Sequence, residues 1–358
     1  MSEINVVDAR GIFTKRLIEV YKERTAPTGF LRSFFRTVES DTKEISIEVQ
    51  RGTEKIAVDV ERGTSGNRNK FSKSSEKIFV PPYYEEYFDA TELTFYDRLF
   101  LNNGTVDVVT FGQWMQDVVE KLALLQDKIE RSYELQCSQV FQTGIVTLEN
   151  GDNIDFKRKA ASLVDLGAGN YWGDASSDPI KDLENGCKFL RTVGKMQGGT
   201  VNAIMGDKAL NDFLNNTKVK ERADIRNFSL DEINAPQANA LGAAPHGWVS
   251  AGSYRVYIWT YPEYYDTNEV ENIPYINEEN VILLPQITKF TLGFGAVPML
   301  LGVGNKEGLG ISGRRGAYMV DEYVDKRHKS HNFEIRSAGV AIPTAVDQIY
   351  TLQASEEV

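Results

Sequence analysis

The chain has 358 residues, enough for the cores of two or three domains, and its 41% hydrophobic and 25% charged residues describe a folded rather than a disordered protein. A net charge of −11 and a pI near 5.0 exclude the basic stripe of a dedicated nucleic-acid reader, although not a protein that encloses nucleic acid without gripping it. Cys137 and Cys187 have no spacing partner, which argues against a disulfide framework or a cysteine zinc site and makes a reducing compartment the simplest setting. No stretch approaches eighteen apolar residues and the first thirty carry no apolar run, so neither a membrane span nor a signal peptide is expected. The sequons at Asn103, Asn215 and Asn227 then read as chance matches.

Residues 1–29 form a largely polar arm with one amphipathic stretch, Ile12 to Tyr21, broken by Pro27 to Gly29. An aromatic anchor follows, Phe30-Leu31-Arg32-Ser33-Phe34-Phe35. Phe34 and Phe35 are expected to be held in the subunit or its nearest neighbour, with residues 1–26 ordered only when neighbours offset the lost chain entropy. From Lys43 the period is two: Ile45, Ile47 and Val49 alternate with polar residues, and Ile56, Val58 and Val60 repeat the pattern, so both runs are predicted as half-buried strands. Gly63 to Ser75 is Gly-, Ser- and Asn-rich and reads as a loop tip, charged by Arg68, Lys70 and Lys73 between Arg62 and Lys77. Ile78-Phe79-Val80 resumes a strand that Pro81-Pro82 ends. Residues 45–82 are thus a long two-stranded arm with a basic tip, marginal in water unless something covers it. Residues 83–101 then bring Tyr83, Tyr84, Tyr87, Phe88, Phe95, Tyr96 and Phe100, aromatics that either lid the chain's own core or meet a partner.

Phe111 to about Gln142 is predicted as one helix. Phe111, Met115, Val118, Leu122, Leu125, Ile129, Tyr133, Cys137 and Val140 or Phe141 hold a three-or-four spacing on one face. Thr110 and Gln113 make a T-x-x-Q capping box, Val109 and Trp114 a hydrophobic staple, and Gly144 fits the C-terminal cap. On the other face Asp117 precedes Lys121 and Asp127 precedes Arg131 by four. The stripe is expected to pack on a sheet that contains the C-terminal strands. Asn150-Gly151 between short alternating runs signals a hairpin. Residues 160–180 read as a link around Trp172, 180–192 and 208–215 as helices, and 201–205, 254–259 and 281–285 as strands. Phe290 to Gly316 is Gly-rich and loop-like, and 334–342 and 345–352 are two final strands expected to return to the helix-bearing domain. No repeat of 20–50 residues is visible.

No residue set points to chemistry. Gly308-x-Gly310-x-x-Gly313 matches a dinucleotide pattern by letter, but a loop is expected before it and Arg314-Arg315-Gly316 follows, so it reads as a plain Gly-rich loop. His328 and His331 lie beside Asp325 among Arg327 and Lys329, a solvated basic turn rather than a metal site, and His246 is an isolated loop residue. No catalytic residue, cofactor or metal is expected, and carboxylate pairing in space cannot be read from 51 acidic residues.

Several stretches, in this order, carry a family resemblance. They are Phe30-Leu31-Arg32-Ser33-Phe34-Phe35-Arg36, Val60-Glu61-Arg62-Gly63-Thr64-Ser65-Gly66, and Glu134-Leu135-Gln136-Cys137-Ser138-Gln139-Val140-Phe141. Tyr171-Trp172 with Ser177-Asp178-Pro179-Ile180, Val219-Lys220-Glu221-Arg222, and the 254–261 run followed by Asn280-Val281-Ile282-Leu283-Leu284-Pro285 complete it. The chain resembles the major capsid proteins of tailed bacteriophages, specifically the lambda-like capsid protein E family, over most of residues 28–350. No single motif carries the likeness; the order does.

The resemblance implies an α+β fold of the Hong Kong type. It divides the chain into an N-terminal arm (1–44), an extended loop or E-loop lying over a neighbouring subunit (45–88), and a peripheral domain (89–180) with the spine helix 111–142. An α/β axial domain (181–329) would cluster at five-fold and six-fold axes, and 330–358 would return to the peripheral domain. The function implied is a shell subunit, assembling with itself as hexamers and pentamers around double-stranded DNA in the virion, built in the host bacterial cytoplasm. A separate scaffolding protein and a portal are implied, and a decoration protein is a further partner to consider. The inter-subunit contacts expected are Phe34, Phe35, Arg62, Arg68, Lys70, Lys73, Lys77, Tyr83, Tyr84 and Tyr87. Two other readings stand beside this one: the shell of a bacterial nanocompartment with the same fold, and an enzyme whose catalytic unit is the 181–329 domain with the hairpin as a flap.

Overall fold

A computed structural model describes residues 27–50, 74–91, 108–148, 151, 153–224, 228–229, 239–288, 290–303, 306–325 and 327–356. Its longest element is one helix, α1 (Val108–Gln142), about 50 Å long at 1.5 Å per residue. Val118, Ile129, Tyr133, Cys137, Val140 and Phe141 are buried along the expected stripe, with Leu122 and Leu125 half-buried. Only the backbone is described at Phe111 and Met115. The helix starts at Val108, so Thr110 lies inside its first turn and is not the N-cap that the T-x-x-Q pattern suggested. The other end follows expectation. Gly144 takes φ +77°, and its N–H reaches back to the Gln139 carbonyl at 3.0 Å. A Cβ there would lie 2.3 Å from Cδ of Arg158, so glycine is also required by space.

Before α1 come β1 (Phe35–Glu39), β2 (Ile45–Gln50), β3 (Ser74–Phe79) and β4 (Tyr83–Thr91). After it come the hairpin β5 (Ile145–Thr147) and β6 (Asn153–Asp155), then β7 (Leu163–Asp165), α2 (Pro179–Thr192) and β8 (Thr200–Met205). Next are α3 (Asp207–Asn215), α4 (Thr217–Asp224), β9 (Phe228–Ser229), β10 (Ala244–Ala251) and β11 (Tyr254–Thr260). A small ribbon, β12 (Tyr264–Tyr265) and β13 (Ile273–Pro274), precedes β14 (Asn280–Pro285) and β15 (Phe290–Phe294). The chain closes with β16 (Val297–Val303), β17 (Lys306–Arg314), β18 (Met319–Asp325), β19 (Ser330–Ile342) and β20 (Tyr350–Gln353).

Two sheets organise these elements. The first has five strands: β1, β15, β19 and β18 in order, with β4 also paired to β19. The helix α1 lies on it. The Tyr133 hydroxyl meets Ser337 Oγ at 2.5 Å, and Gln136 Oε1 accepts from the Ala341 N–H at 3.1 Å. Gly339 permits this approach, since a Cβ there would stand 2.7 Å from the Tyr133 ring. The second sheet has seven strands, in the order β7-β20-β14-β8-β11-β10-β9. Its inner strand β14 is buried on both faces and so reads as an unbroken apolar run. On β14, Val281 and Leu283 join Trp172, Leu183, Leu190 and Phe213, whereas Ile282 and Leu284 join the core shared with Phe30, Phe141 and Phe290.

Four sequence expectations change. Residues 290–316 are not a loop: β15 is ladder-paired to the distant β1 and β19, and β16 with β17 forms a local hairpin, so strand pairing overrides the glycine content. The stretch 160–180 is more than a link, because Trp172 is fully buried with its N–H on the Ala354 carbonyl at 2.8 Å. His246 lies in strand β10, at its bulge, rather than in a loop, and burial lowers its pKa. The two final strands part company: β19 stays on α1, but β20 pairs antiparallel with β14 and parallel with β7 in the seven-stranded sheet. The Asn-Gly hairpin forms as expected, with Thr147 opposite Asn153 and Gly151 at φ +87°, although its loop is wider than a two-residue turn.

Candidate assembly surfaces

The arm is rooted on the spine helix by one buried carboxylate. Residues 32–34 make a single 3-10 turn whose leading N–H groups need an acceptor. Glu134 supplies it, accepting from Leu31 N at 2.7 Å and Arg32 N at 3.2 Å. The Arg32 guanidinium pairs with Glu134 at 3.3 Å and Glu130 at 3.2 Å, and Gln126 donates to Glu130 at 2.9 Å. Burial raises the Glu134 pKa, opposed by the Leu31 N–H and by Arg32. Burial also works against the Arg32 charge, but Glu134 and Glu130 more than offset it. Around this clamp the aromatic anchor is spent within the chain. Phe35 stacks at 5.3 Å on Phe141 and 5.4 Å on Phe290, and Phe34 sits edge-on to Phe30 at 5.3 Å. Phe35 is therefore buried in the subunit's own core with Phe34 half-buried against it, the first of the two placements expected for them.

The hairpin is the opposite case. Among the described residues β2 and β3 pair only with each other, from Ile45 opposite Phe79 to Gln50 opposite Ser74. Ile45 and Phe79 root it, with Ile45 buried and Phe79 5.5 Å from Phe156. Arg62, Arg68, Lys70 and Lys73, like Ile56, Val58, Val60, Phe95, Tyr96 and Phe100, lie outside the described residues. Lys77 is in β3, described by its backbone.

On β4 the period of two separates the three tyrosines. Tyr84 turns toward α1, edge-on to Tyr133 at 5.5 Å, with its hydroxyl accepting from Gln136 at 2.8 Å. Glu86 pairs with Lys128 at 2.7 Å and Phe88 stacks on Phe333 at 5.3 Å on that same face. Tyr83 and Tyr87 point the other way, 45% and 63% exposed. Tyr84 is thus a packing residue, and the expected contact set keeps Tyr83 and Tyr87 as its exposed members.

Sequence reasoning missed two polar anchors. Glu134 stood in a family-like stretch, but nothing local marked it as buried. Arg158 bridges the end of α1 to the seven-stranded sheet, donating to the carbonyls of Phe141 (2.7 Å), Ser162 (3.0 Å) and Ile349 (3.2 Å) and to Thr351 Oγ1 (3.1 Å). Burial lowers its pKa to about 10, which leaves it charged at neutral pH, where it faces the negative end of the helix.

Among the described residues no catalytic grouping assembles. Among the described residues no group of three His, Cys, Asp or Glu side chains could hold a metal. His328 contacts Asp325 at 2.7 Å in an exposed turn, and His331 stacks on Phe333 at 4.4 Å. The Gly308–Gly313 pattern runs inside strand β17 and opens no helix. Cys137 and Cys187 are buried free thiols.

Comparison with known proteins agrees with this picture. A solved structure assigned as the capsid protein of an Escherichia coli CFT073 prophage superimposes with a TM-score of 0.59 at 13% identity, covering 92% of this chain and 94% of that one. The mature capsid of bacteriophage PhiM1 gives 0.50 at 8% identity, covering 95% and 91%. An encapsulin from Synechococcus elongatus gives 0.45 at 8% identity, covering 94% and 92%, a likeness too low to carry an argument. No curated protein matches the chain in sequence. The model of the phage major capsid protein E family matches residues 13–354, and the chain, with the fold of a bacteriophage capsid subunit, belongs to that family of structural proteins.

Proposed function

We propose that this major capsid protein assembles with copies of itself, as hexamers and pentamers, into the icosahedral shell that encloses the double-stranded DNA of a tailed phage. The observation that carries the reading is the β2–β3 hairpin, a two-stranded ribbon that pairs with no other strand among the described residues. Such a ribbon is marginal alone and gains its stability from a cover. In this reading residues 45–88 are the extended loop that lies over a neighbour. Residues 89–180, with β19, form the peripheral unit on the spine helix. Residues 181–329, completed by β20, form the axial unit around the five-fold and six-fold axes. Tyr83, Tyr87 and the basic residues Arg62, Arg68, Lys70, Lys73 and Lys77 make inter-subunit contacts. The acidic balance suits a wall that surrounds DNA without phosphate contacts. A separate scaffolding protein and a portal complete assembly in the host cytoplasm, and a decoration protein can add to the outer surface.

The test is deletion of residues 64–75. Circular dichroism of the free subunit should be nearly unchanged, while sedimentation and negative-stain microscopy should show particles from the parent chain and few or none from the deletion. Normal particles from the deletion would refute the role of the tip. A parent chain that remains a small oligomer under all assembly conditions would refute the shell itself and return attention to an enzymatic axial unit.

A further inference from the structure

The ribbon β12–β13 carries a tip that the chain builds firmly and leaves open. The Thr267 N–H donates to the Val270 carbonyl at 2.8 Å, and Thr267 Oγ1 accepts from the Val270 N–H at 3.0 Å. Asp266 Oδ1 accepts from the Asn272 N–H at 2.8 Å, and Asn272 takes φ +59°. The root is tied to the end of α1: Gln142 Nε2 donates to the Tyr275 carbonyl at 2.9 Å, and Gln142 Oε1 accepts from the Asn277 N–H at 3.0 Å. From Glu263 to Glu279 the chain has carboxylates and no cation. At the tip Val270 is 54% exposed between the exposed Glu269 and Glu271. A tip whose shape is already fixed loses little further freedom when it docks.

A surface of matching chemistry lies at the far end of β11. The ladder sets Thr200, Arg255 and Ser250 side by side, and next to them Asn202, Tyr257 and Trp248, on one face of the seven-stranded sheet. Val201, Val249 and Val256 alternate with them and enter the core on the opposite face. Phe30 covers the Trp259 end of the open face, 5.8 Å between rings. Beyond it Trp248 and Tyr257 are half-buried, and the exposed Arg255 stacks on Trp248 at 4.5 Å. These two rows hold one cation and no carboxylate. Among the described residues no carboxylate pairs with Arg255, whereas Lys128, Lys159, Lys188 and Arg315 are matched by Glu86, Asp347, Glu184 and Glu39. Trp, Tyr and Arg are the residue types that concentrate binding energy at interfaces. Strand β11 is seven residues, about 20 Å, so the tip beyond Thr260 and the surface around Arg255 lie at opposite ends of one subunit. We infer that the β12–β13 tip of one copy seats on the Trp248–Arg255–Tyr257 face of a second copy, with Val270 against the rings and Glu269 or Glu271 on the guanidinium. The contact joins two different patches head to tail, the class that closes into rings. This deepens the shell reading above and rests on it: it names the charge-matched surfaces that join axial units into a ring.

Charge exchange in the full-length chain tests it. Arg255→Glu should leave the free subunit's melting curve nearly unchanged and lower particle yield at low salt about tenfold. Glu269→Arg with Glu271→Arg should do the same, and combining all three should restore most of the yield. The neutral variant Arg255→Gln guards against misfolding: it should assemble less well than the parent, with a flatter salt dependence. A second readout is direct. Val270→Cys with Ser250→Cys, treated with a short bismaleimide after assembly, should link copies into species of up to five and six chains on a denaturing gel, because Cys137 and Cys187 are buried. Three results overturn the inference while the parent chain still forms particles: either reversal assembling normally, the combined variant staying as poor as either alone, or no links between copies. A lowered melting temperature with unchanged assembly would place these charges in the stability of one chain and overturn it also. Failure of the parent chain to form particles would instead remove the shell reading itself.

Discussion

The seven-stranded sheet and strand β4 treat the same structural period in opposite ways. On β14 every residue from Val281 to Pro285 is buried, with alternate side chains entering two different cores. On β4 only Tyr84, Glu86 and Phe88 face the interior, and Tyr83, Glu85, Tyr87 and Asp89 are exposed. The first region is finished by its own chain. The second is finished on one side, and in the proposed shell its open side is left for a neighbour. On the proposed function, stability of the subunit and competence to assemble are carried by separate sets of residues, and substitutions should divide accordingly.

The largest effect should come from the finished region. Leu283→Asp would place a charge between Cys187, Leu190 and Tyr350 with no partner, and should cost more than about 4 kcal/mol, enough to abolish soluble subunit. Urea unfolding of any soluble fraction would measure it; a well-folded variant would break the comparison at its stronger half.

Next comes the arm clamp. Glu134→Ala leaves the Leu31 N–H without its acceptor and Arg32 with only Glu130, and should cost about 3 kcal/mol. The pH dependence has a definite sign. Burial raises the folded-state pKa of Glu134 above its unfolded value, so the folded state holds the proton more tightly. Its contribution is therefore complete in acid and falls as pH rises through the raised value. The conservative variant Glu134→Gln lacks this slope, so the melting-temperature gap between parent and Glu134→Gln should narrow as pH rises from about 4.5. A gap that widens over that range would assign Glu134 the opposite electrostatic role.

A smaller loss is expected at Gly186 on α2. An added Cβ would lie 2.4 Å from Leu283 Cδ1 and 2.9 Å from Tyr350 Cδ1, so Gly186→Ala overpacks the core, although it gains helix propensity. The net change should be about 1–2 kcal/mol by chemical denaturation. A stabilised Gly186→Ala would show that this side of the sheet has room to give.

The smallest change in stability should accompany the sharpest change in assembly. Tyr87→Ala removes a 63% exposed ring and should shift subunit stability by less than about 0.5 kcal/mol. Its particle yield, measured by sedimentation, should fall clearly. Tyr84→Ala should reverse the pattern, destabilising the subunit through lost packing on Tyr133 and the lost bond from Gln136. Equal behaviour of the two variants would erase the distinction between the faces of β4.

By itself the sequence determined what depends on neighbours a few residues apart. The stripe from Val118 to Phe141, the Gly144 stop, the alternation that opens the hairpin at Ile45, and the Asn-Gly hairpin are all local, because helical and strand periods are written within a turn or a strand. Only the tertiary structure decided where those pieces meet. That β20 joins β14 and β7, that Glu134 is buried beneath Leu31 and Arg32, and that Gly293 sits in a strand paired to β1 and β19 all depend on partners many tens of residues away. Local sequence carries no record of such pairings, since a backbone N–H or a carboxylate looks the same whether its partner is water or a distant strand. The choice between Tyr84 and its neighbours Tyr83 and Tyr87 is the clearest instance. Three identical side chains were legible as an aromatic belt, and only the register of β4 against β19 decided which one belongs to the core.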